Sequence, residues 1–331
     1  MTERTGQVGR AAPVPRQLDV GMSRWVDVLL LVVAVAYAVF VGLLTILRGV
    51  PITSDVVLVA LGFAVVLLTR ARAGVLREWT PFLLLFLAYE LMRDLADDAG
   101  LPVHAADVVA VERALFGGHL PTAVLQAWFH PASGVDLLAV LGTVVYLLHF
   151  PLPIVTGILL WRWRPGLFHP FVVALILLSF AGFVSYLLFP VAPPWMAAQR
   201  GLLAAPPGEH PIAYLKPDAF VTLAGWIGLA GRSLYDVAFH SLNANEVAAF
   251  PSLHAAYPVL CFLVLRRAFG RIGWVMLAYA GFVSLTVVYT ADHWVLDVLA
   301  GAAYASVAWV VTRWLMDRRV EPAGPMRPGA N

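Results

Sequence analysis

The sequence is short of charge. Only 13% of its 331 residues are Asp, Glu, Lys or Arg, whereas an average soluble protein contains about 25%. Hydrophobic residues make up 61%, and the mean hydropathy is +0.82. A soluble core cannot bury this much apolar surface. The composition therefore predicts an integral membrane protein. It excludes a secreted globule, a disordered chain and a soluble nucleotide-binding enzyme, and no nucleic-acid partner is expected.

Cysteine and lysine are each represented by a single residue. Cys261 lies inside an apolar run and has no second cysteine to pair with, which excludes a disulfide framework and a cysteine-based metal site. Lys216 is the one lysine, and every other basic residue is arginine.

Long apolar runs are what the sequence has in abundance. A bilayer core about 30 Å thick requires about 20 apolar residues in a helix, and eight runs approach that length. The predicted fold class is all-α: a polytopic membrane helix bundle of about eight transmembrane helices. The predicted spans are residues 25–47, 51–69, 80–94, 135–161, 167–189, 252–265, 272–290 and 294–312.

Arginine is distributed unevenly between the loops that these spans define. With the N-terminus inside, sixteen of the 22 basic residues fall on the inner side and six on the outer side. Cytoplasmic loops carry the excess of basic residues. We therefore expect an integral protein of the plasma (inner) membrane with both termini in the cytoplasm.

Two polar segments interrupt the apolar pattern, and in this orientation both lie at extracytoplasmic span ends. Residues 250–255 read Phe-Pro-Ser-Leu-His-Ala, and residues 292–297 read Asp-His-Trp-Val-Leu-Asp. Ionisable residues in membrane segments are costly and commonly functional. These segments are therefore the candidate site.

The four-residue spacing places His293 and Asp297 on one helix face, where the carboxylate can accept a hydrogen bond from one ring nitrogen. The other nitrogen would then be free as a nucleophile or base. His254, from another span, is the candidate acid for a leaving group. Ser252 and the amides that begin its helix are candidates to bind anionic oxygens. A metal site formed by the two histidines and Asp297 is an alternative.

These segments resemble a known family. The blocks F-P-S-L-H-A and H-x-x-x-D-x-x-x-G, the latter from His293 to Gly301, resemble the type 2 phosphatidic acid phosphatase (PAP2) superfamily. With the Phe-Pro-Val-Ala-Pro-Pro-Trp segment at residues 189–195, the chain is most similar to the branch of inositolphosphotransferases and inositol phosphorylceramide synthases. The resemblance implies His293 as a nucleophile that forms a phosphohistidine, Asp297 as its orienting group and His254 as the general acid. It implies a double displacement without a metal or other cofactor.

The chain departs from the wider superfamily in its phosphate-binding residues. Thr286 and Val287 stand where the superfamily usually has Ser-Arg, and no copy of the K-x6-R-P block is present. Other cations must therefore bind the phosphate. The candidates are Arg93, Lys216, Arg232 and Arg200.

The predicted domain organisation follows from the spans and the resemblance. Residues 1–20 and 318–331 are predicted to be disordered cytoplasmic tails. Residues 21–79 would form two extra N-terminal transmembrane helices, and residues 80–317 the PAP2-like catalytic domain with a six-helix core. Its outer loops, 95–134 and 191–249, are long. The first is predicted to hold interfacial helices at 107–116 and 122–129, and the second shows no obvious regular structure.

Three other side chains receive structural interpretations. Trp195 is expected to anchor the chain at the membrane interface, and His149 to form hydrogen bonds within a span. On the 107–116 helix, Val108, Val111 and Leu115 are expected on one face, and Glu112 and Arg113 on another.

Two classes of function remain open at this stage. The first is an enzyme that moves a phosphoryl or phospho-headgroup from a lipid phosphate or phospholipid, as a phosphatase with water or as a transferase with a lipid alcohol acceptor. The second is a transporter or proton-coupled carrier that uses His254, His293 and Asp297 as a relay. Polar residues at span ends on one side favour the enzyme.

Overall fold

The computed structural model describes residue 79 and residues 101–149, 151–203, 208–228 and 247–317. Within these residues the chain is helical, with isolated backbone bridges and no extended strands. The predicted spans at 25–47, 51–69 and 80–94 lie outside the described residues. The helices described are α1 (Ala106–Leu115), α2 (Pro121–Phe129), α3 (Leu137–His149), α4 (Leu152–Trp163), α5 (Pro165–Leu188), α6 (Pro194–Gln199), α7 (Lys216–Trp226), α8 (Leu253–Phe269), α9 (Trp274–Tyr289) and α10 (Val295–Asp317).

Helix α8 is at the centre of the bundle and packs against α4, α5, α9 and α10. Its inward-facing residues Ala256, Leu260, Cys261 and Val264 are all fully buried. The outer faces of the neighbouring helices are apolar and exposed, as at Val307 on α10. A helix that is apolar on all sides is suited to the hydrocarbon core of a bilayer, because its backbone N–H and C=O groups are already paired within the helix.

Three helical stretches are long and apolar enough to span a membrane: Pro165–Leu188, Leu253–Tyr289 and Val295–Met316. The pair α3 and α4 meets the same criterion as a bent unit. The sequence predicted a single span there, at residues 135–161. The two helices instead meet at an angle of 49°, because Pro151 and Pro153 supply no backbone N–H to continue the helix.

The stretch Leu253–Tyr289 is an antiparallel hairpin of α8 and α9. Helix α8 begins next to His254 and α9 ends just before His293, and the rings of these histidines are in contact. The turn between the helices is the 3₁₀ segment Gly270–Gly273, where a Cβ on Gly273 would lie 2.4 Å from the Cα of Arg266. The histidines and the arginines at the turn are therefore at opposite ends of the hairpin.

Segments that connect the long apolar helices form a layer over the histidine end of the bundle. The backbone of Val191 connects His104 to Ala248 in two parallel bridges, and Trp294 donates its indole N–H to the Ala192 carbonyl at 2.8 Å. The predicted loop 191–249, for which the sequence showed no obvious regular structure, contains α6 and α7 among its described residues. This layer contacts both motif segments at the histidine end of the bundle.

Two interpretations of side chains in this layer are wrong. Trp195 is only 9% exposed, and its ring stacks on Tyr214 with centroids 5.0 Å apart, so it packs within the layer. Glu112 is fully buried, whereas Val111 and Leu115 are 50% and 61% exposed. The buried face of α1 follows Val108, Val109 and Glu112, because the Glu112 carboxylate has backbone partners inside.

Candidate active site

His293 lies between α9 and α10, and its ring is held by the backbone. Its Nδ1 is 2.9 Å from the carbonyl oxygen of Ala249. A carbonyl only accepts hydrogen bonds, so Nδ1 carries the proton and donates it. In the neutral imidazole the lone pair is therefore on Nε2. This nitrogen faces the second histidine.

Asp297 supports His293 less directly than its spacing predicted. The Oδ2 atom of Asp297 is 3.5 Å from Nδ1 of His293, and it accepts a hydrogen bond from the Trp294 amide at 2.8 Å. The Ala249 carbonyl, which no periodicity argument could find, takes the hydrogen bond that the sequence assigned to the carboxylate. Asp297 is fully buried and places a negative charge next to the imidazole.

His254 is in the first turn of α8, and its Nδ1 is 2.9 Å from Nε2 of His293. Its ring stacks on Tyr146, with centroids 4.4 Å apart. On another side the ring of His149 is 4.7 Å away, and Nε2 of His149 donates to the carbonyl of Leu253 at 3.2 Å. His149 is thus an interior hydrogen-bonding residue, as expected, but it also borders the site.

The two motif segments are joined through their backbones. The Ser252 amide donates to the carbonyl of Asp297 at 2.9 Å. At Gly301, an added Cβ would lie 2.2 Å from the carbonyl oxygen of Ser252, so only glycine allows this approach. The Ser252 side chain is fully buried and caps its own helix by accepting from the Ala255 amide at 3.4 Å.

Lys216 is the candidate cation that the structure brings to the site. It is only 7% exposed, and its Nζ forms an ion pair with Asp292 at 2.5 Å. The same Nζ lies 3.4 Å from the ring centroid of Tyr146, the residue that stacks on His254. Burial lowers the pKa of Lys216, and the Asp292 carboxylate opposes that shift.

Of the remaining candidate cations, Arg200 alone lies in the part of the chain that the structure describes. Arg93 and Arg232 lie outside the described residues, and Arg200 is exposed at the end of α6. Val287, at the position of the missing arginine, is 1% exposed and belongs with Tyr146 to one apolar cluster. Within the described part of the chain, no group of three His, Cys, Asp or Glu residues is arranged to hold a metal ion.

Sequence analysis missed the role of Glu112. Its Oε1 accepts hydrogen bonds from the amides of Val295 at 2.6 Å and Leu296 at 3.4 Å, at the start of the helix that carries Asp297. Burial raises the pKa of Glu112 to about 7, against the effect of the Val295 hydrogen bond and with a further contribution from the nearby Asp297 charge. The spacing of Val108, Val109 and Glu112 on one helix face was the available signal.

Two imidazoles in contact at one end of a bundle of apolar helices form a candidate active site in a membrane protein. The family model of the PAP2 superfamily matches residues 106–311. The chain therefore belongs to the PAP2 superfamily, and the resemblance drawn from its two motifs is confirmed. It is a membrane lipid phosphatase or phosphotransferase.

Similar proteins are named as phosphoinositol dihydroceramide synthase and inositol phosphorylceramide synthases. Phosphoinositol dihydroceramide synthase of Bacteroides thetaiotaomicron is 28% identical over 230 residues, covering 67% of this chain and 71% of the relative. Inositol phosphorylceramide synthase of Candida albicans is 29% identical over 203 residues, covering 54% and 41%. The catalytic subunit AUR1 of inositol phosphorylceramide synthase of Saccharomyces cerevisiae is 25% identical over 228 residues, covering 62% and 48%.

The chain spans less than half the length of these two fungal relatives. No solved structure matches it. None of these relatives is named as a transporter, so the comparisons do not support the carrier alternative.

Proposed function

We propose that this protein transfers a phosphoinositol-type headgroup from a phospholipid to a lipid alcohol of the ceramide type, through a phosphohistidine on His293. The observation that carries the proposal is the contact of Nδ1 of His254 with Nε2 of His293 at 2.9 Å. Because Nδ1 of His293 donates to Ala249, the hydrogen between the two rings belongs to His254. One ring thus offers a lone pair and the other a proton.

In the first step, Nε2 of His293 attacks the phosphorus of the donor lipid. The bond from phosphorus to the glycerol oxygen breaks, and the leaving diacylglycerol takes a proton from His254. His254 must therefore carry a proton on each ring nitrogen before this step, and it is left as the neutral imidazole. For this step the N–H of His254 must turn from Nε2 of His293 to the leaving oxygen, because the phosphorus takes its place. The positive charge on His293 is stabilised by the Ala249 carbonyl and the Asp297 carboxylate.

In the second step, the acceptor alcohol gives its proton to His254 as its oxygen attacks the phosphorus. The P–N bond breaks, His293 regains its lone pair and the new phospholipid leaves. Water in the place of the alcohol gives hydrolysis instead. The names of the relatives favour the alcohol, since each is named as a synthase of a phosphoinositol ceramide lipid.

Lys216 is the group we assign to the phosphate oxygens. The arginine that the superfamily usually has at position 287 is replaced here by a buried valine next to Tyr146, and the Lys216 ammonium lies over that same tyrosine ring. The lone lysine thus supplies the missing charge from a different element. The set proposed for phosphate binding also includes Arg93, Arg232 and Ser252. The proposed catalytic set is His254, His293 and Asp297.

We further propose that the site faces the extracytoplasmic side of the membrane. The hairpin of α8 and α9 has Arg266, Arg267 and Arg271 at the end opposite to the histidines, and basic residues mark the cytoplasmic side. With the three predicted spans that precede residue 95, this orientation gives about eight transmembrane helices and cytoplasmic termini.

The test compares purified wild type, His293→Ala, His254→Ala and the exposed-histidine control His119→Ala in the presence of a chelator. The substrates are phosphatidylinositol and lipid phosphates, with and without a ceramide-type alcohol. His293→Ala should lose turnover and the trapped phosphoenzyme by at least about 10⁴-fold. His254→Ala should still form phosphohistidine slowly from a donor with a good leaving group such as nitrophenolate.

Each alternative has a distinct outcome. Turnover that survives in His293→Ala would exclude the phosphohistidine route. Phosphate release without a new phospholipid would identify a phosphatase, and a requirement for added metal would contradict the double displacement. His119→Ala should behave as wild type, because this histidine is exposed in an outer loop.

A further inference from the structure

Helix α1 lies outside the spans but reaches the first turn of α10 through a single buried side chain. We propose that Glu112 is a positioning residue, which fixes the first turn of α10 and thereby the placement of His293 and Asp297 for the reaction. The inference rests on the proposed function for its catalytic consequence. Glu112 does not itself touch the reacting nitrogen atoms.

The geometry of the contact is that of a helix cap supplied from a distant part of the chain. Oε1 of Glu112 accepts from the amides of Val295 at 2.6 Å and Leu296 at 3.4 Å. The preceding amide, that of Trp294, donates to Asp297 at 2.8 Å. Two carboxylates therefore accept from three successive amides at the start of α10, which would otherwise have no partner within the helix.

The position of this cap makes it relevant to the chemistry. His293 is two residues before Val295, and Asp297 is one residue after Leu296, so the capped amides lie between the nucleophile and its supporting carboxylate. Loss of the cap would let the first turn of α10 fray, and both side chains would move with it. Displacements of about 1 Å at a catalytic group cost about 10²-fold in rate.

The placement of Glu112 is expensive for the fold, which argues for more than ordinary packing. The side chain is fully buried, its second oxygen, Oε2, accepts no hydrogen bond from the described residues, and the Asp297 carboxylate is close enough to raise its pKa. A local Ser, Thr or Asn would cap a helix without a buried acid of this kind.

The chain offers a matched control in Glu209. Its carboxylate also caps a helix from a distance: it accepts from the Leu120 amide at 3.2 Å and pairs with Arg113 at 2.6 Å. Its side chain is 7% exposed. The helix that it caps, α2, contains no proposed site residue, so Glu209 separates the general effect of losing a cap from an effect on the site.

The experiment compares Glu112→Ala, Glu112→Gln, Glu209→Ala and wild type, purified as full chains in detergent. Amide hydrogen exchange in the peptide spanning residues 293–299 should accelerate about tenfold or more in Glu112→Ala. Its kcat should fall about 10- to 100-fold with KM changed less than about twofold, because the loss is in the transition state. Glu112→Gln keeps the accepting oxygen and should recover kcat to within about threefold of wild type.

Glu209→Ala should lower the midpoint of thermal unfolding about as much as Glu112→Ala does and leave kcat within about twofold of wild type. The positioning role is overturned if Glu112→Ala keeps its kcat while exchange accelerates, or if exchange at 293–299 does not change. Failure of Glu112→Gln to recover kcat would equally overturn a role based on hydrogen-bond acceptance.

Absence of turnover in wild type on every substrate would refute the proposed function and leave this inference testable. The readout is then the rate at which diethyl pyrocarbonate modifies His293, followed by peptide mass spectrometry. Glu112→Ala should change that rate at least about fivefold relative to both wild type and Glu209→Ala, since the nitrogen loses its fixed surroundings. An unchanged rate would overturn the inference.

Discussion

The two histidines that meet at the site have opposite surroundings. His293 donates to the Ala249 carbonyl and lies 3.5 Å from the Asp297 carboxylate, so oxygen atoms with negative charge support its ring. His254 stacks on the Tyr146 ring, which in turn lies against the ammonium group of Lys216. Oxygen atoms therefore border the first ring, and an aromatic ring that contacts a cation borders the second.

This difference supports the proposed division of roles. A nucleophile that becomes positively charged when it attacks phosphorus benefits from nearby carboxylate and carbonyl oxygens. A group that gives and then retakes a proton carries no bond to phosphorus and does not need that support, and His254 has an aromatic neighbour in its place. The difference between the two histidines depends on two features. The first is the close backbone contact between the two motif segments, and the second is the charged groups near each ring.

The largest loss of activity is expected when the backbone contact between the two motif segments is broken. In Gly301→Ala the new Cβ would lie 2.2 Å from the Ser252 carbonyl oxygen, so the two motif segments must separate. A displacement of about 1 Å between the histidines should reduce turnover by at least about 100-fold, and the melting temperature should fall as well.

The matched control is Gly281→Ala in α9, where an added Cβ meets nothing within 4 Å. Activity and melting temperature should stay at or slightly above wild type, since alanine favours helix by about 1 kcal/mol over glycine. Activity of Gly301→Ala at the wild-type level would show that the backbone contact does not hold the site together.

A smaller loss of activity is expected when the charge of Lys216, which lies near His254, is removed. Lys216→Met keeps most of the apolar stem but removes the charge proposed to bind phosphate. KM for the phospholipid should rise, and kcat/KM should fall about 10- to 50-fold. Steady-state kinetics measure both, with Arg271→Met, an exposed charge at the far end of the hairpin, as the control. Equal kinetics in the two variants would remove Lys216 from the proposed phosphate site.

The smallest effect concerns pH on the His293 side. Burial raises the pKa of Glu112 to about 7 in the folded protein, from the ordinary value of 4.5 that applies to the unfolded chain. Between these two pH values the folded state therefore binds more protons than the unfolded state. The stabilisation from this proton is complete below pH 4.5 and is lost as the pH rises through 7. The slope should approach about 1 kcal/mol per pH unit.

Unfolding midpoints of wild type and Glu112→Gln between pH 5 and pH 7.5 test this dependence. The variant has no titrating group at this position, so its midpoint should vary less with pH than that of wild type. Parallel curves would mean that Glu112 is ionised throughout this pH range. Burial and the nearby Asp297 charge would then not raise its pKa.

Sequence reasoning recovered the helices and the nature of the site to different degrees. Apolar runs predicted helices at α5 and α8 to α10, because continuous hydrophobic length and a helix period are local properties. The same reasoning failed at the bend between α3 and α4. It also gave Trp195 and Glu112 the wrong environments, because the direction of an amphipathic face depends on what packs against it.

The sequence by itself determined the membrane character of this protein, its PAP2 membership and the three residues of the proposed catalytic set. These follow from composition and from short motifs, in which spacing along a helix fixes which side chains share a face. Only the tertiary structure decided which atom holds His293, what the lone lysine contacts and which acid caps α10. Ala249, Lys216 and Glu112 come from segments distant in sequence, and such contacts are fixed by how helices and loops pack in three dimensions.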